Sequence, residues 1–279
     1  MVDHKSKKRR GHFSQTIYAL GMRIATWNVN SIRTRVGRVL DFLERSEIDV
    51  LAMQEIKCKN EQFPYKEFEE RGYQVVAHGL NQWNGVAFAS KLPIEDVETS
   101  FSGQPLFKEV QEARAMGVTV DGVRLWSLYV PHGRSLDDPH FAYKLEFLEN
   151  LTSQIAEQVN HEPELPLALM GDFNIAPLDS DVWNLNEFVG GTHVSAPERQ
   201  AFSAFEEIGL TDVVRPLIPG GYTYWDYQQL RFPKNEGMRI DFILGNDEFA
   251  SRVTGASIER DERKGEGPSD HVPVVVTIS

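Results

Sequence analysis

The sequence has little cysteine: Cys58 is the single thiol among 279 residues. One thiol excludes intramolecular disulfides and any cysteine-rich zinc site, and it suggests a reducing compartment, so we interpret Cys58 as a buried thiol. No apolar run approaches the roughly 20 residues that a membrane helix needs. No signal-peptide apolar segment follows the basic start. We therefore expect a soluble, cytoplasmic protein with no disulfide partner and no membrane partner.

Positive charge is also scarce. The chain has 29 lysine and arginine residues against 41 aspartate and glutamate residues, which gives a formal net charge of −12. The stretch Lys5–Arg10 is strongly basic, so the remainder is more acidic than this total. Bulk charge of this sign argues against a protein that coats nucleic acid passively. It leaves open an enzyme that binds DNA through a local basic rim around an acidic, metal-holding centre.

The chain shows no internal repeat, no low-complexity linker and no break in composition after residue 21. Hydrophobic residues make up 41% and charged residues 25%, which is an ordinary globular balance that allows a large core. We predict a disordered basic arm over residues 1–21 and one catalytic domain over residues 22–279. The arm either adds weak, salt-sensitive affinity for DNA or is solvated and has no role.

Short strand-like runs dominate the pattern, and about four amphipathic helices interrupt them. Asp121-Gly122 is a strong hairpin signal between two of these runs. Asp138-Pro139 starts one helix, and a capping box of Ser195 with Glu198 starts another. The predicted strands are Met22–Thr26, Val50–Met53, Tyr73–Ala77, Gly85–Ala89, Gly117–Val120, Val123–Tyr129, Leu167–Met170, Ile240–Leu244, Val253–Ile258 and Val272–Ile278. This pattern predicts an α/β fold in which helices flank two packed mixed sheets in a single domain.

In the stretch Leu165–Pro177, polar residues follow directly after an apolar, strand-like run. Its apolar run stops at Gly171, and Asp172 and Asn174 follow two residues apart. Side chains at this spacing in an extended segment share a face, so the two can act together on one small target such as a water molecule. The alternative is turn chemistry, since glycine, aspartate and asparagine favour turns on conformational grounds alone.

Several other predicted strands also end at a polar side chain. These residues are Asn28, Asn30, Glu55, Tyr129, Asp241, Asp270 and His271. So many oxygen ligands with one histidine resemble a metal centre with acid–base machinery. Each has an ordinary alternative: Glu55 as a solvated acid, Tyr129 as a sheet aromatic, Asp241 as an ion-pair partner of Arg239, and His271 as a core residue.

The order and spacing of these residues resemble the exonuclease III family of abasic-site endonucleases, within the endonuclease/exonuclease/phosphatase superfamily. The segments that carry the resemblance, which spans Met22 to Ser279, are Thr26–Arg33, Gln54–Cys58, Asn84–Ala87, Tyr129–Pro131, Gly171–Pro177, Tyr222–Tyr227, Arg239–Asp241 and Ser269–His271. The resemblance implies a four-layer sandwich, which agrees with the two sheets predicted above.

The resemblance also implies roles for the polar residues. It implies that Glu55 binds Mg²⁺ directly, with Mn²⁺ as an alternative metal, and that Asn28, Asn30 and Asp270 complete or support that centre. Asp172 would deprotonate the attacking water, and Asn174 would hold its geometry. His271, oriented by Asp241, would contact a phosphate oxygen, while Tyr129 would approach the leaving 3′-oxygen or the metal.

Substrate contacts are implied in the same way. Tyr224, Met238 and Ile240 match the apolar pocket for an extruded abasic sugar, although alternating apolar residues are also ordinary sheet core. Loop residues that are candidates for phosphate contacts are Arg33, Arg134, Arg231 and Lys234. His132 departs from the family pattern of asparagine or glutamine, so it is either a pH-tuned phosphate contact or an exposed turn residue.

The resemblance implies a Mg²⁺-dependent DNA-repair phosphodiesterase, an exodeoxyribonuclease III or AP endonuclease. It would incise 5′ to abasic sites and remove nucleotides or blocks from 3′ ends of duplex DNA. We expect a monomer, associated with the nucleoid in a prokaryote. The alternative is a phosphoesterase of the same superfamily that acts on an inositol or lipid phosphate.

Overall fold

The computed structural model describes residues 21–279, so the predicted basic arm lies outside the described residues except for Gly21. Twelve strands occur in this part of the chain: β1 Met22–Asn28, β2 Val50–Gln54, β3 Gln74–His78, β4 Val86–Ser90, β5 Ile94–Glu98, β6 Ala115–Val120, β7 Val123–Tyr129, β8 Leu167–Asp172, β9 Thr211–Asp212, β10 Asp241–Gly245, β11 Val253–Ile258 and β12 Val274–Ile278. The ten predicted strands are all present with boundaries shifted by at most two residues, and the pattern missed β5 and β9.

Six α-helices accompany the strands in the described residues, rather than about four. They are α1 Ile32–Arg45, α2 Tyr65–Glu69, α3 Pro139–His161, α4 Ala196–Glu207, α5 Arg231–Lys234 and α6 Asp247–Arg252. Three of the six, α2, α5 and α6, are too short to show a periodic stripe. None of the helices among residues 21–279 combines the length and the hydropathy that a membrane span requires.

The strands form two six-stranded mixed sheets. Their orders are β11-β12-β1-β2-β4-β3 and β5-β6-β7-β8-β10-β9, with β1–β2 and β7–β8 parallel and the other pairs antiparallel. Alternate side chains of β1 show how the layers stack: Ile24 packs between the sheets, whereas Ala25 and Trp27 pack against α1. On the other side, α3 and α4 cover the second sheet. The four-layer sandwich predicted from the sequence is confirmed.

Local sequence signals place the helices and the hairpin. Asp138 accepts a hydrogen bond from the backbone N–H of His140 at the start of α3, and Pro139 occupies the first turn. Glu198 bonds back to the backbone N–H of Ser195 at the start of α4. Between β6 and β7, Asp121 and Gly122 both have positive φ, as a two-residue hairpin requires.

Three predicted loop positions are wrong. Arg33 lies in the first turn of α1, and Arg231 and Lys234 are the two ends of the short helix α5. Helix α5 is a single turn between two residues with a left-handed backbone conformation, Leu230 and Asn235. Because the helix does not extend beyond this turn, the sequence shows no helical periodicity here. Arg134 is in a loop, as predicted.

Strand register brings the polar strand ends together. Tyr129 of β7 and Asp241 of β10 are both paired with Asp172, the last residue of β8, from its two sides. In the other sheet, Asn28 ends β1 beside Gln54 at the end of β2. The sheets pack face to face, so these ends meet at one edge of the sandwich.

We expect Gly171→Ala to destabilise the protein by about 3 kcal/mol, because overpacking and a wrong φ each add strain. Gly171 has φ +148, and a Cβ there would lie 2.0 Å from the carbonyl oxygen of Leu128. Urea unfolding measures the effect. Gly37→Ala in α1 is the control, since its Cβ would meet nothing within 4 Å. That change should stabilise the helix by about 0.5–1 kcal/mol, and equal stability of Gly171→Ala and the parent would contradict the prediction.

Candidate active site

The centre of the site is a group of three ionisable residues from both sheets. One ligand atom each of Glu55, Asp172 and His271 lies within 4.8 Å of the others. Glu55 follows β2, Asp172 ends β8, and His271 precedes β12. Two carboxylates and one imidazole from three distant parts of the chain are thus brought together, as the sequence predicted.

Asn28 joins the two carboxylates of this group. Its Nδ2 donates to Oε1 of Glu55 at 2.7 Å and to Oδ2 of Asp172 at 3.0 Å. Its Oδ1 accepts from the backbone N–H of Asn30 at 3.0 Å, which fixes the orientation of the amide because a backbone N–H can only donate. The carboxamide therefore orients both carboxylates, and its oxygen is already used.

Lys57 neutralises Glu55 and is itself bonded to Asn30. Lys57 Nζ lies 2.7 Å from Glu55 Oε2 and 2.6 Å from Asn30 Oδ1, while Asn30 Nδ2 donates to Asp270 Oδ1 at 3.0 Å. Burial alone would raise the pKa of Glu55, but Lys57 and Asn28 outweigh burial and lower the pKa. Lys57 was given no role from the sequence, although it lies two residues after Glu55 in Gln54–Cys58, one of the segments that carry the resemblance.

Asp241 and Asp172 flank the imidazole of His271. His271 Nδ1 lies 2.8 Å from Asp241 Oδ2, and Nε2 lies 3.6 Å from Asp172 Oδ2. Burial would lower the pKa of His271, but Asp241 first and then Asp172 outweigh burial and raise the pKa. The imidazole is therefore held in the positive form. Arg239 pairs with Asp212 at 3.2 Å instead of with Asp241, which leaves Asp241 to the histidine.

Asp172 itself is almost completely buried, and this burial raises its pKa despite the opposing charge of His271. Its Oδ1 accepts from the backbone N–H of Asn174 at 2.9 Å. A carboxyl group whose pKa is moved toward neutrality is suited to accept a proton from water at physiological pH. Sequence reasoning placed both residues here, and the structure joins them through this bond.

Two backbone anchors hold the histidine segment in place. Ser269 donates its hydroxyl to the carbonyl oxygen of Asn28 at 2.7 Å, and Trp27 Nε1 donates to the carbonyl oxygen of His271 at 3.1 Å. On the other side, the hydroxyl of Thr223 accepts from the backbone N–H of Asp241 at 3.1 Å. Neither Ser269 nor Thr223 was assigned a role from the sequence, although each lies in a segment that carries the resemblance.

Tyr129 lies beside Glu55 at the end of β7. Burial, and after it the negative charge of Glu55, raises the pKa of the phenol well above its ordinary value, so the neutral form prevails. The guanidinium of Arg114 lies 4.8 Å from the ring centroid and donates to the carbonyl oxygen of Tyr129 at 3.3 Å. Glu112 holds Arg114 at 2.6 Å. Sequence reasoning did not identify this supporting pair.

The three residues assigned to a sugar pocket pack together, and one of them, Tyr224, lies next to His271. Met238 and Ile240 are buried with 7% and 1% of their surfaces exposed, and Tyr224 is half-buried against them. The ring of Tyr224 lies 4.9 Å from that of His271. The location fits a pocket wall, and the burial is equally typical of sheet core.

The candidate basic contacts lie farther out. Arg33, Arg134 and Lys234 are exposed, while Arg231 pairs with Glu236 at 2.7 Å. His132 is exposed, and its Nδ1 accepts from the backbone N–H of Arg134 at 3.0 Å. The neutral ring therefore carries its proton on Nε2.

The pKa of His132 is lowered, first by partial desolvation and next by Lys144. This direction reduces the positive charge that His132 gains as the pH falls toward 6. A lowered pKa weakens the pH-tuned contact proposed from the sequence and favours the neutral ring, which donates through Nε2.

We expect Asp241→Asn to move the alkaline limb of the kcat profile to lower pH. Asp241 raises the pKa of His271, so the imidazole keeps its proton to higher pH in the parent, and removing the carboxylate lets the proton leave earlier. Profiles between pH 6 and pH 10 measure the limb. Asp41→Asn, at an exposed position of α1, is the matched control. An alkaline limb at the parent position would show that His271 need not be charged.

Comparisons with known proteins agree with this geometry. The Endonuclease/Exonuclease/phosphatase family matches residues 25–271. Exodeoxyribonuclease III of Haemophilus influenzae is 30% identical over 267 residues, which cover 91% of this chain and 98% of the relative.

Two solved structures are similar over almost their whole length. One is a 3′ phosphatase from Neisseria bound to a product DNA hairpin, with 34% identity, a TM-score of 0.87, and coverage of 92% of this chain and 99% of the other. The second is an AP endonuclease from Archaeoglobus fulgidus, with 32% identity, a TM-score of 0.86, and coverage of 92% and 99%. Both chains have the four-layer arrangement described above.

Proposed function

The chain belongs to the endonuclease/exonuclease/phosphatase family, and we propose that it is a divalent-metal-dependent DNA-repair phosphodiesterase. Its proposed reactions are incision 5′ to abasic sites and removal of nucleotides or blocking groups from 3′ ends of duplex DNA. The single observation that carries the proposal is the group of Glu55, Asp172 and His271, whose two carboxylates are joined by Asn28. The relatives named above, an exodeoxyribonuclease III, a 3′ phosphatase and an AP endonuclease, support DNA as the substrate.

The donor set fits a hard cation. Glu55 and Asp270 offer carboxylate oxygens on the two sides of Asn30, and Mg²⁺ prefers oxygen ligands and keeps several waters, so few protein ligands are needed. Asn28 has a supporting role in this proposal, because its Nδ2 donates to both carboxylates and so orients Glu55 and Asp172. We propose Mg²⁺, with Mn²⁺ as the alternative. When bound, the cation supplies positive charge to the phosphoryl oxygens.

Three residues of the chain have separate proposed roles in the reaction. Asp172 is the proposed base, since burial raises its pKa and an attacking water can give it a proton. His271 is positive and lies 3.6 Å from Asp172, so it can bind a non-bridging oxygen of the phosphate on which the water acts. Tyr129 is a neutral phenol at the edge of the group, which favours a proton donor to the leaving 3′-oxygen over a phenolate.

Specificity for a missing base requires a recess that accepts a sugar alone. Tyr224 lies beside His271 and packs with Met238 and Ile240, and the three are proposed to form the apolar wall of that recess. Arg33, Arg134 and His132 are proposed to contact phosphates at the exposed rim, where positive or donating groups fix the register of a duplex. These contacts are local, so the negative net charge of the chain does not oppose them.

We expect Asp172→Asn to keep the fold and to lower the cleavage rate by at least about 10² at pH 7.5, because an amide cannot accept a proton from water. The assay is a time course on a duplex with one tetrahydrofuran abasic analogue and on a duplex with a 3′-phosphate, with Mg²⁺ and with chelator. Asp41→Asn is again the control.

Each outcome has a distinct meaning. Turnover of Asp172→Asn near that of the parent would remove Asp172 from the mechanism. Parent protein that cleaves neither duplex but hydrolyses an inositol phosphate would support the alternative substrate class. Cleavage of only one of the two duplexes would assign the reaction to abasic sites or to 3′ ends.

We expect Glu55→Ala to raise the Mg²⁺ concentration that gives the half-maximal rate, since the direct carboxylate ligand is lost. The measurement is a metal titration at saturating DNA. Glu67→Ala, at an exposed position of α2, is the matched control. If Glu55→Ala has the same titration curve as the control, Glu55 is not a ligand.

A further inference from the structure

A buried ion pair lies behind the site and is not used by the proposed chemistry. Lys144 of α3 and Glu198 of α4 have no exposed side-chain surface and contact each other directly. The ammonium also donates to the carbonyl oxygen of Asn174 at 2.7 Å and reaches that of His132 at 3.4 Å. A buried ion pair is retained only where its hydrogen bonds are satisfied, and here one of them goes to the turn that carries Asp172.

A second path connects the same pair to Asn174. Glu198 accepts from the backbone N–H of His193 at 2.8 Å, and His193 Nε2 lies 3.2 Å from Asn174 Oδ1. Asn174 Nδ2 donates to the carbonyl oxygen of Val130 at 2.9 Å, so its oxygen must face His193 and accept from the imidazole. Asn174, Lys144, Glu198 and His193 therefore form a closed ring of hydrogen bonds.

The ring holds Asn174 in an unfavourable backbone conformation. Asn174 has φ 51, in the left-handed region that non-glycine residues rarely occupy. Its N–H donates to Asp172 Oδ1 at 2.9 Å, and its Nδ2 lies 3.4 Å from Asp172 Oδ2. The carbonyl oxygen and the side chain of Asn174 are both fixed by the ring, so the direction of the Asp172 carboxylate depends on it.

We propose that Lys144 and Glu198 are positioning residues that set the orientation of Asp172 through Asn174. The inference rests on the proposed function, because it assigns the pair to that same reaction. Neither side chain of the pair has exposed surface, so neither can touch DNA directly. A change in the pair should therefore lower kcat, and a smaller change in KM would report the contact of Lys144 with the carbonyl oxygen of His132.

The test is the double variant Lys144→Met/Glu198→Gln. Methionine fills the volume of the lysine stem and glutamine fills that of the glutamate, so no unpaired charge remains buried. The single amide oxygen can accept from His193 or from Ser195 but not from both, and the carbonyl oxygen of Asn174 loses its donor, so we expect a lower melting temperature with cooperative unfolding retained. We expect KM to change less than kcat. We expect kcat to fall about tenfold or more, as small misplacements of a reacting group do. Lys66→Met, at an exposed site of α2, is the control.

Stability and turnover, measured together, distinguish a positioning role of the pair from a purely structural role. If the double variant is folded and its kcat equals that of the parent, the pair is merely structural and the inference is overturned. If the double variant shows no cooperative unfolding, Glu198→Asp alone decides: it keeps a negative charge opposite Lys144 but shortens the side chain, and a kcat reduced at least about fivefold with a smaller change in KM supports positioning. A parent kcat in Glu198→Asp overturns it.

A readout without turnover keeps the inference distinct from the proposed function. The side-chain amide ¹⁵N resonance of Asn174 reports the orientation of that group directly. We expect this resonance to shift or broaden in the double variant and not in Lys66→Met, and an unchanged resonance would overturn the inference. Parent protein that cleaves no DNA would contradict the proposed function alone.

Discussion

Burial of one carboxylate, that of Asp172, is the constraint on which the site depends. An ionised carboxylate without partners is very unfavourable in a protein interior, so the surrounding groups must hydrogen-bond it or neutralise it. Asn28 and the backbone of Asn174 donate to it, and the positive His271 lies 3.6 Å away. These partners come from both sheets. The face-to-face packing that buries the carboxylate therefore also brings its hydrogen-bond and charge partners to it.

The backbone around this carboxylate has positive φ at several residues. Among the residues of the site with positive φ are Asn30, Glu55, Lys57 and Asn174, each within three residues of a strand end. Such conformations cost of order 1–3 kcal/mol each and persist only where the surrounding structure holds them. Here the holding contacts are identified: the Lys57 bridge on one side and the ring of Lys144, Glu198 and His193 on the other. Each strained residue turns the chain sharply at a strand end, which is why its side chain points into the junction.

The charges at the centre of the site are paired locally, although the chain as a whole is acidic. Lys57 neutralises Glu55, and Asp241 keeps His271 positive, so each charge at the centre has an opposite partner. The positive rim lies farther out, on the first turn of α1 and on the loop that carries Arg134. Net charge therefore describes the surface as a whole, whereas local pairs decide what the centre can bind.

The sequence alone determined the elements and most of the site. Hydrophobic periodicity predicted the strands and α1, and capping residues predicted the starts of α3 and α4, because these signals act between residues near in sequence. Polar residues at strand ends pointed to Glu55, Asp172 and His271, which the strand pairing then joined. Short elements such as β5, α2 and α5 were missed because they are too brief to show a period.

Only the tertiary structure decided which partners meet. Lys144, Glu198 and His193 come from a helix, the start of another helix and a loop, and nothing in their local sequence connects them to Asn174. The same holds for Arg114 beneath Tyr129 and for the orientation of the Asn28 amide. Contacts of this kind depend on how α3 and α4 pack across the second sheet, and long-range packing leaves no periodic signal in the chain.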